Sequence, residues 1–531
     1  MVTDAGLELL RAGSDGLLAE VADLDEALAL FASLADDPLV GVWELVPAAR
    51  TVLVRFDPTM TSAGAVARAL ADRPRRRSAV VDGPVVEVPV CYDGADLEEV
   101  AGLCGLDPAE VVRRHTAGPW TVAFTGFAPG FGYLSGGDPA LDVPRRAEPR
   151  TAIPAGSVGL AGRFSGIYPR ASPGGWQLIG RTGVQLWNSR RAEPALLAPG
   201  MRVQFVDAGA GALTGADRDL GSTSRTAPTG TPALEVLAPG PLSVVVDLGR
   251  PGHAAQGVAR SGAVDRGSLR RANRLVGNPA ATAALEIAAG GLRVRALTDL
   301  VVAVTGAPVS LTRSGADEGV PAPEVEVGRA FALDRGAELD LGAPDRGMVS
   351  YLAVAGGVAG EAVLGSVSTD LLSGVGPAPL RAGDVVRLGT ARESAVAVDA
   401  DPGPRLPAAD EVTEIDVLLG PREDWFTADG VRTFLAQEWT VTPRSNRVGL
   451  RLAGDHPLER SRDEELPSEG TVPGSVQVPP TGQPVVFTAD HPVTGGYPVI
   501  ACVAGPHLDR IGQVPVGGRV RFRALPAETR R

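Results

Sequence analysis

Two short elements occur twice in this sequence, in the same order each time. Ile153-Pro-Ala-Gly-Ser-Val158 is followed by Pro173-Gly-Gly-Trp-Gln-Leu-Ile179, and Val472-Pro-Gly-Ser-Val-Gln477 is followed by Thr494-Gly-Gly-Tyr-Pro-Val-Ile500. A chain that repeats a turn-and-strand pattern in this way builds the same substructure twice, so two related modules are predicted. A shorter repeat marks where domains end: Ala198-Pro-Gly-Met-Arg-Val-Gln-Phe205, Arg381-Ala-Gly-Asp-Val-Val-Arg-Leu388 and Val516-Gly-Gly-Arg-Val-Arg-Phe522. At 531 residues the chain exceeds one core. Its 67 Gly and 45 Pro favour many short strands joined by tight turns, hence mostly β structure.

The borders follow from pattern. An apolar run at Leu17 to Val21, a helical spacing of Leu24, Leu28, Phe31 and Leu34, strands near Val42 to Val46 and Val52 to Phe56, a helix over Ser62 to Arg73 and a strand over Val85 to Val90 read as β-α-β-β-α-β. That is the order of a ferredoxin-like unit, assigned to 1–84. Residues 85–207 turn to two short helices and then Gly- and Pro-punctuated strands, predicting a β-barrel. The stretch 208–232 has almost no large apolar group and is predicted to be a flexible linker. Two further β-rich domains are placed at 233–397 and 411–525, with a linker at 398–410. The fold class is therefore mainly β with α+β character.

Every basic residue is Arg; there is no lysine. A Walker A phosphate loop, a Schiff-base amine and a biotin attachment site are thereby excluded from this chain. A net charge of −13 argues against nucleic acid and anionic membrane as partners. Three cysteines without a C-x-x-C pair give neither a disulfide framework nor a zinc site. Met1 to Gly16 shows no signal-peptide pattern and no run of about 18 apolar residues occurs, so a cytoplasmic location is expected.

A Gly-Ser step lets consecutive N–H groups converge, and Gly-Gly before an aromatic lets backbone approach a ligand. The repeated loops therefore read either as walls of an anion or amide pocket or as turns at a barrel rim. Ala155-Gly-Ser-Val-Gly159 lacks the first Gly of a nucleophile elbow, which disfavours a serine hydrolase. The five His are scattered and form no metal-ligand pair. Gly209-Ala-Gly211 has neither the strand nor the helix of a dinucleotide loop. Phe124 to Leu134 packs four aromatics among Gly and Pro, and Asp247-Leu-Gly-Arg250 with Asp265, Asn273 and Glu286 gathers carboxylates, an amide and Arg. That second group has the chemistry to hold Mg²⁺ and phosphate, although such groups also form structural bridges.

Phe127-Ala-Pro-Gly-Phe-Gly-Tyr-Leu134, Pro149-Arg-Thr-Ala-Ile-Pro-Ala-Gly-Ser-Val158 and Ile167-Tyr-Pro-Arg-Ala-Ser-Pro-Gly-Gly-Trp-Gln-Leu-Ile-Gly-Arg-Thr182 resemble the B subunit of bacterial 5-oxoprolinase. Asp247-Leu-Gly-Arg-Pro-Gly252, Ser261-Gly-Ala-Val-Asp265, Ala272-Asn-Arg-Leu-Val-Gly-Asn278, Pro473-Gly-Ser-Val-Gln-Val-Pro-Pro480 and Thr494-Gly-Gly-Tyr-Pro498 resemble its C subunit. Both halves are also similar to the carboxyltransferase part of urea carboxylase, and the first to a sporulation kinase inhibitor. The resemblance implies cyclophilin-like β-barrels and a fused B/C component that acts with a separate A subunit, using ATP and Mg²⁺, to open 5-oxo-L-proline to L-glutamate. No biotin is attached to this chain; homo-oligomerisation is left open. The alternatives are the carboxyltransferase component of a split biotin-dependent enzyme acting on urea or an amide, and a regulatory protein that grips a kinase.

The residues expected to carry catalysis are Ser157, Arg181, Asp247, Arg250 and Asp265. In the first module, substrate or nucleotide contacts are expected from Phe127, Gly130, Phe131, Tyr133, Gly156, Tyr168, Ser172, Gly174, Gly175, Trp176 and Gln177. In the second they are expected from Asn273, Glu286, Ser475, Gln477, Asp490, His491, Gly495, Gly496 and Tyr497, with no resident metal ligand. The chain departs from its relatives at Phe164-Ser165, where Gln-Thr is usual, at Val246, where Gln is usual, and at His491-Pro492-Val493, where Arg-Gln-Thr is usual. Substrate contacts are expected to differ there.

Overall fold

The computed structural model describes residues 6–73, 85–146, 148, 150–191, 193–209, 229–314, 325–391, 394–462 and 464–526. Most of the linker predicted at 208–232 lies outside them. Short strands dominate, in barrel-like sheets with few helices.

The first domain is a four-stranded antiparallel sheet in the order Glu8–Arg11, Gly16–Glu20, Thr51–Phe56, Val42–Pro47. The helix Leu24–Asp36 begins where its cap dictates, because the Asp23 side chain accepts the Glu26 N–H at 3.0 Å. It lays Leu30 and Leu34 against Val52, Val54 and Phe56. Two differences from the sequence reading emerge. Glu8–Arg11, unpredicted because charged ends hide a four-residue strand, supplies the edge. Val85–Val90 leaves this sheet: it buries Val88 and Val90 in the next core and pairs in parallel with Arg202–Asp207.

That second sheet runs Gln177–Arg181, Ser157–Ala161, Phe164–Ile167, Gly132–Ser135, Trp120–Thr125, Arg202–Asp207, Val85–Val90. Its two ends meet where Cys91 and Arg181 exchange hydrogen bonds of 2.8 and 2.9 Å. The C-terminal domain is a closed barrel of seven strands from Val412–Leu419 to Arg519–Ala524, and that terminal pair is again parallel. The duplication extends beyond the repeated motifs. Trp120 Nε1 donates to the His115 carbonyl and Trp439 Nε1 to the Phe434 carbonyl, each at 3.0 Å and each five residues back. The His115 ring stacks on Phe205 at 4.3 Å, as Phe434 does on Phe522 at 4.6 Å.

Between the barrels lie a six-stranded and a five-stranded sheet sharing one core built on Leu234, Leu285, Val302 and Leu352. The helix Arg266–Leu275 covers the other face of the five-stranded sheet through Leu269, Ala272 and Leu275. This helix and the loops around it face the N-terminal half.

Candidate functional site

The repeated Gly-Ser step is a turn in both copies. Gly156 and Gly474 have φ of +81° and +85°, a conformation that glycine adopts without strain. Ser157 N–H donates to the Pro154 carbonyl (3.3 Å) and Ser475 N–H to that of Val472 (3.1 Å). Gly156 N–H donates to Tyr168 and Gly474 N–H to Phe487. These donors are consumed by the strands, so they do not converge on a ligand, and the rim-turn reading holds. Ser157 then enters a barrel strand opposite Arg181, whose half-exposed guanidinium reaches outward to Asp93 at 2.9 Å.

The aromatic run forms a packed cluster. Phe131 meets Phe127, Tyr133, Tyr168 and Trp176 edge-to-face, with centroids 5.1–5.4 Å apart. All but Phe127 are buried. Gly174 is required here, since a Cβ would lie 2.5 Å from the Tyr168 hydroxyl. Gly175 accepts from Arg146 N–H through its carbonyl. Ser172 Oγ and Gln177 Oε1 are buried without a partner among the described residues. At the altered flank, Phe164 packs on Phe124 and Tyr133, and Ser165 Oγ bonds His115 Nε2 at 2.8 Å. Both face the module's own core rather than a ligand.

This cluster's loop is one place where the two halves touch; another is a shared apolar core that joins Leu18, Val46 and Leu53 to Ala254, Val472 and Val499. Gly130 N–H donates to the Gln256 carbonyl (3.3 Å), Phe127 N–H to Thr494 Oγ1 (3.2 Å), and Thr125 Oγ1 to the Ala255 carbonyl. Arg170 Nη1 reaches 2.5 Å across to the Leu372 carbonyl.

Behind this seam lies a connected set of buried charges. Asp247 accepts from Ser366 Oγ (2.6 Å), Ser368 Oγ (2.7 Å), Gly249 N–H (2.7 Å) and Val367 N–H (2.9 Å). Asp265 caps its helix through Ser268 and accepts Gln513 Nε2 at 2.8 Å. Through these bonds both carboxylates hold loops in place. Asn273 likewise ties a turn by donating to the Thr282 carbonyl at 2.7 Å. Glu286 and Asp490 meet at Arg447, and Asp490 also accepts Ser261 Oγ (2.6 Å) and Leu371 N–H (3.0 Å).

Arg250 is different. It is 1% exposed, bonds the Val363 and Ser368 carbonyls, and leaves Nη1 buried without a partner among the described residues. Asp370 leaves Oδ2 in the same state. Burial and the neighbouring Asp490 raise the Asp370 carboxyl to about 6, while Arg250 and Arg170 both lie within its electrostatic reach. His253 Nδ1 and Gln256 Oε1, on the loop that meets the first module, are also buried without a partner among the described residues. The site therefore brings together Phe127, Gly130, Asp247, Arg250 and Asp490, and adds Asp370, Arg170, His253 and Arg447. Nothing in sequence spacing pointed to those four.

The second copy contributes less. Gln477 Nε2 donates to the Tyr497 carbonyl at 3.0 Å, and a Cβ on Gly495 would crowd that nitrogen at 2.5 Å. Gly496 lies beside Arg145, while Tyr497 is 40% exposed. Ser475 Oγ accepts Val472 N–H at 3.2 Å. His491 is buried against Phe487. Among the described residues no three His, Cys, Asp or Glu are grouped to hold a metal ion.

Burial drives the pKa of His115 down to about 3 and that of His491 to about 4. Both lie below the ordinary value of 6.5, so as pH falls the unfolded chain binds these protons first. Their contribution is complete above about pH 6.5 and is lost toward pH 4. Asp370, raised to about 6, acts oppositely, since the folded state takes its proton first. The melting temperature is expected to fall from pH 6.5 to 4. In His491→Gln the pH-dependent loss should shrink by about 3 kcal/mol; an unchanged profile would count against this origin.

Family models match both halves: the carboxyltransferase domain, subdomain A and B, over residues 256–524, and subdomain C and D over residues 7–197. The chain thus belongs to the carboxyltransferase-domain family, with the C and D pair fused ahead of the A and B pair. Its C-terminal half is 37% identical over 292 residues to the C subunit of 5-oxoprolinase from Escherichia coli K12, covering 54% of this chain and 90% of that protein. The N-terminal half is 52% identical over 124 residues to the B subunit of 5-oxoprolinase from Escherichia coli O157:H7, covering 23% of this chain and 57% of that one. The crystal structure of TTHA0988 covers 96% of this chain and 99% of its own at 37% identity and a TM-score of 0.80. The fusion is therefore shared by a solved structure.

Proposed function

We propose that this chain is the B/C component of an ATP-dependent 5-oxoprolinase, opening the lactam of 5-oxo-L-proline to L-glutamate together with a separate A subunit. The observation that carries the reading is the pair of unsatisfied buried groups, Arg250 Nη1 and Asp370 Oδ2, held where the C-like half of the chain meets the B-like half. A five-membered lactam is a poor electrophile. Phosphorylation of its amide oxygen by ATP makes it open to water, and the resulting negative charge requires fixed donors. In this reading Arg250 supplies such a donor without reorganising, and Asp370, with its pKa near 6, holds or releases a proton at its free oxygen. ATP is assigned to the assembled complex, and no step is routed through Mg²⁺ on these residues.

The test is glutamate release from 5-oxo-L-proline, measured with the chain alone, with an A subunit, and with Arg250→Gln or Asp370→Asn. Activity is expected only in the reconstituted mixture, falling roughly 10²–10³-fold with Arg250→Gln. A reconstituted mixture without ATP-dependent turnover would overturn the proposal. The description of the family models favours one second reading, carboxyl transfer from biotin to urea or an amide. Biotin-dependent carboxylation by a mixture with a biotin carboxylase would select it.

A further inference from the structure

Away from the seam's unsatisfied pair, arginines from both halves gather around one indole. Trp43 sits where the pairing of Val42–Pro47 with Thr51–Phe56 slips between Val42 and Glu44, an irregularity of the kind that re-aims a side chain. The guanidinium carbon of Arg55 lies 4.4 Å from the Trp43 ring centroid and that of Arg260 lies 5.8 Å from it. Arg266 opens the helix Arg266–Leu275, and Arg270 follows one turn later on the same face.

The acidic neighbours are already engaged. Asp15 bonds Arg55 at 2.5 Å, and Glu44 accepts Gly252 N–H at 3.1 Å with Arg55 3.7 Å away. Asp509 spends both oxygens on the backbone N–H groups of Arg266 (3.0 Å) and Gly267 (2.9 Å). Among the described residues the Arg266 guanidinium has no hydrogen bond or ion pair, Arg260 bonds only the Leu248 carbonyl (3.3 Å), and Arg55 Nε is buried without a partner. Burial, then repulsion from Arg260 and Arg55, brings Arg266 down to about 9. Burial and Arg55 also lower Arg260. Partly buried like charges with unused planar N–H donors are costly unless an oxyanion completes them, and their fork geometry matches phosphate oxygens. Trp43, Arg260 and Arg266 are only partly buried, so a solute can reach them.

We propose that Arg55, Arg260 and Arg266 form an oxyanion site beside Trp43 that takes a phosphate or phosphoryl group, free or at the end of a nucleotide. The Arg260 carbonyl accepts the Arg250 N–H at 2.7 Å, so one backbone hydrogen bond joins this site to the seam. The inference stands apart from the proposed activity, because binding is read on the full chain without an A subunit or turnover.

The test follows tryptophan fluorescence while inorganic phosphate, ATP or acetate is titrated at constant ionic strength. A saturable phosphate response is expected, lost in Trp43→Phe and weakened at least tenfold in Arg260→Gln and Arg266→Gln. Competition by ATP identifies a nucleotide as the source; phosphate binding without it identifies the free ion. No saturable phosphate response, an equal response to acetate, or an unchanged response in both arginine variants overturns the proposal. Should those variants fail to fold, phenylglyoxal modification of the wild-type chain decides instead. Phosphate protection of Arg260 and Arg266, read by mass spectrometry, supports the site, and its absence overturns it.

Discussion

Replacing Arg447 with methionine is expected to destabilise the C-terminal half by about 3–5 kcal/mol, which lowers its melting transition by on the order of 10 °C. Arg447, Glu286 and Asp490 have side chains 5%, 3% and 0% exposed. The guanidinium grips Asp490 with two bonds of 3.0 Å, bonds Glu286, and donates to the Gly262 carbonyl at 2.7 Å. Burial alone disfavours the charged guanidinium, but Asp490 and Glu286 outweigh it and hold the pKa well above its usual value. Glu286 lies in the five-stranded middle sheet and Gly262 in the loop before the helix Arg266–Leu275, whereas Arg447 and Asp490 belong to the C-terminal domain, so one side chain ties the two together. Without it, two carboxylates remain buried and uncompensated. Lysine should not rescue, because an ammonium cannot reproduce the planar fork. Calorimetry on the full chain checks this, and a loss below about 1 kcal/mol, the range of an exposed pair, would show that the triad carries little.

The contrast between Arg250 and Arg447 shows how far sequence reasoning reached. Asp247-Leu-Gly-Arg250 is compact in the chain, and its grouping with Asp265, Asn273 and Glu286 is readable from their closeness in sequence. Arg447, Asp370, Tyr351 and Gln513 reach the same network from loops and strands that no local period connects to it: Arg447 is 161 residues from Glu286, and Gln513 is 248 from Asp265. The repeated Gly-Ser-Val element is legible as a duplication, but the partners of its N–H groups are not. Whether an N–H is free depends on strand partners such as Tyr168 and Phe487, which sequence does not name. The same limit applied to Val85–Val90. It was recognised as a strand, yet its partner is Arg202–Asp207, chosen by which core buries Val88 and Val90. Helix boundaries fared better because caps such as Asp23 and Ser62 act over three residues.

Gly257→Val is expected to loosen the seam locally, where the loop Ala254–Gly257 meets the Phe127 turn. Gly257 has φ of +76°, and a Cβ there would lie 2.5 Å from the Ala128 carbonyl oxygen, 3.1 Å from its carbon and 3.4 Å from the Gly126 oxygen. All three obstacles are backbone, so no side chain can swing aside. A β-branched residue adds strain at positive φ. Relief requires the loop Ala254–Gly257 to lift from the Phe127 turn, which loosens the Gly130–Gln256, Phe127–Thr494 and Thr125–Ala255 hydrogen bonds together. Gly136→Val is the control: its φ is +89° but nothing lies within 4 Å of the added Cβ, so it reports backbone strain alone. In hydrogen–deuterium exchange the Phe127 turn and the loop Ala254–Gly257 should lose protection in the Gly257 variant; the Gly136 variant should leave both unchanged. If the proposed activity holds, reconstituted turnover should drop about 10²-fold in Gly257→Val, since a displacement near 1 Å between positioning groups costs that much. A Gly257 variant whose Phe127 turn keeps wild-type protection would show that this contact carries little of the seam. That outcome would also remove this contact as the reason Arg170 and Arg250 come to face the same carboxylate.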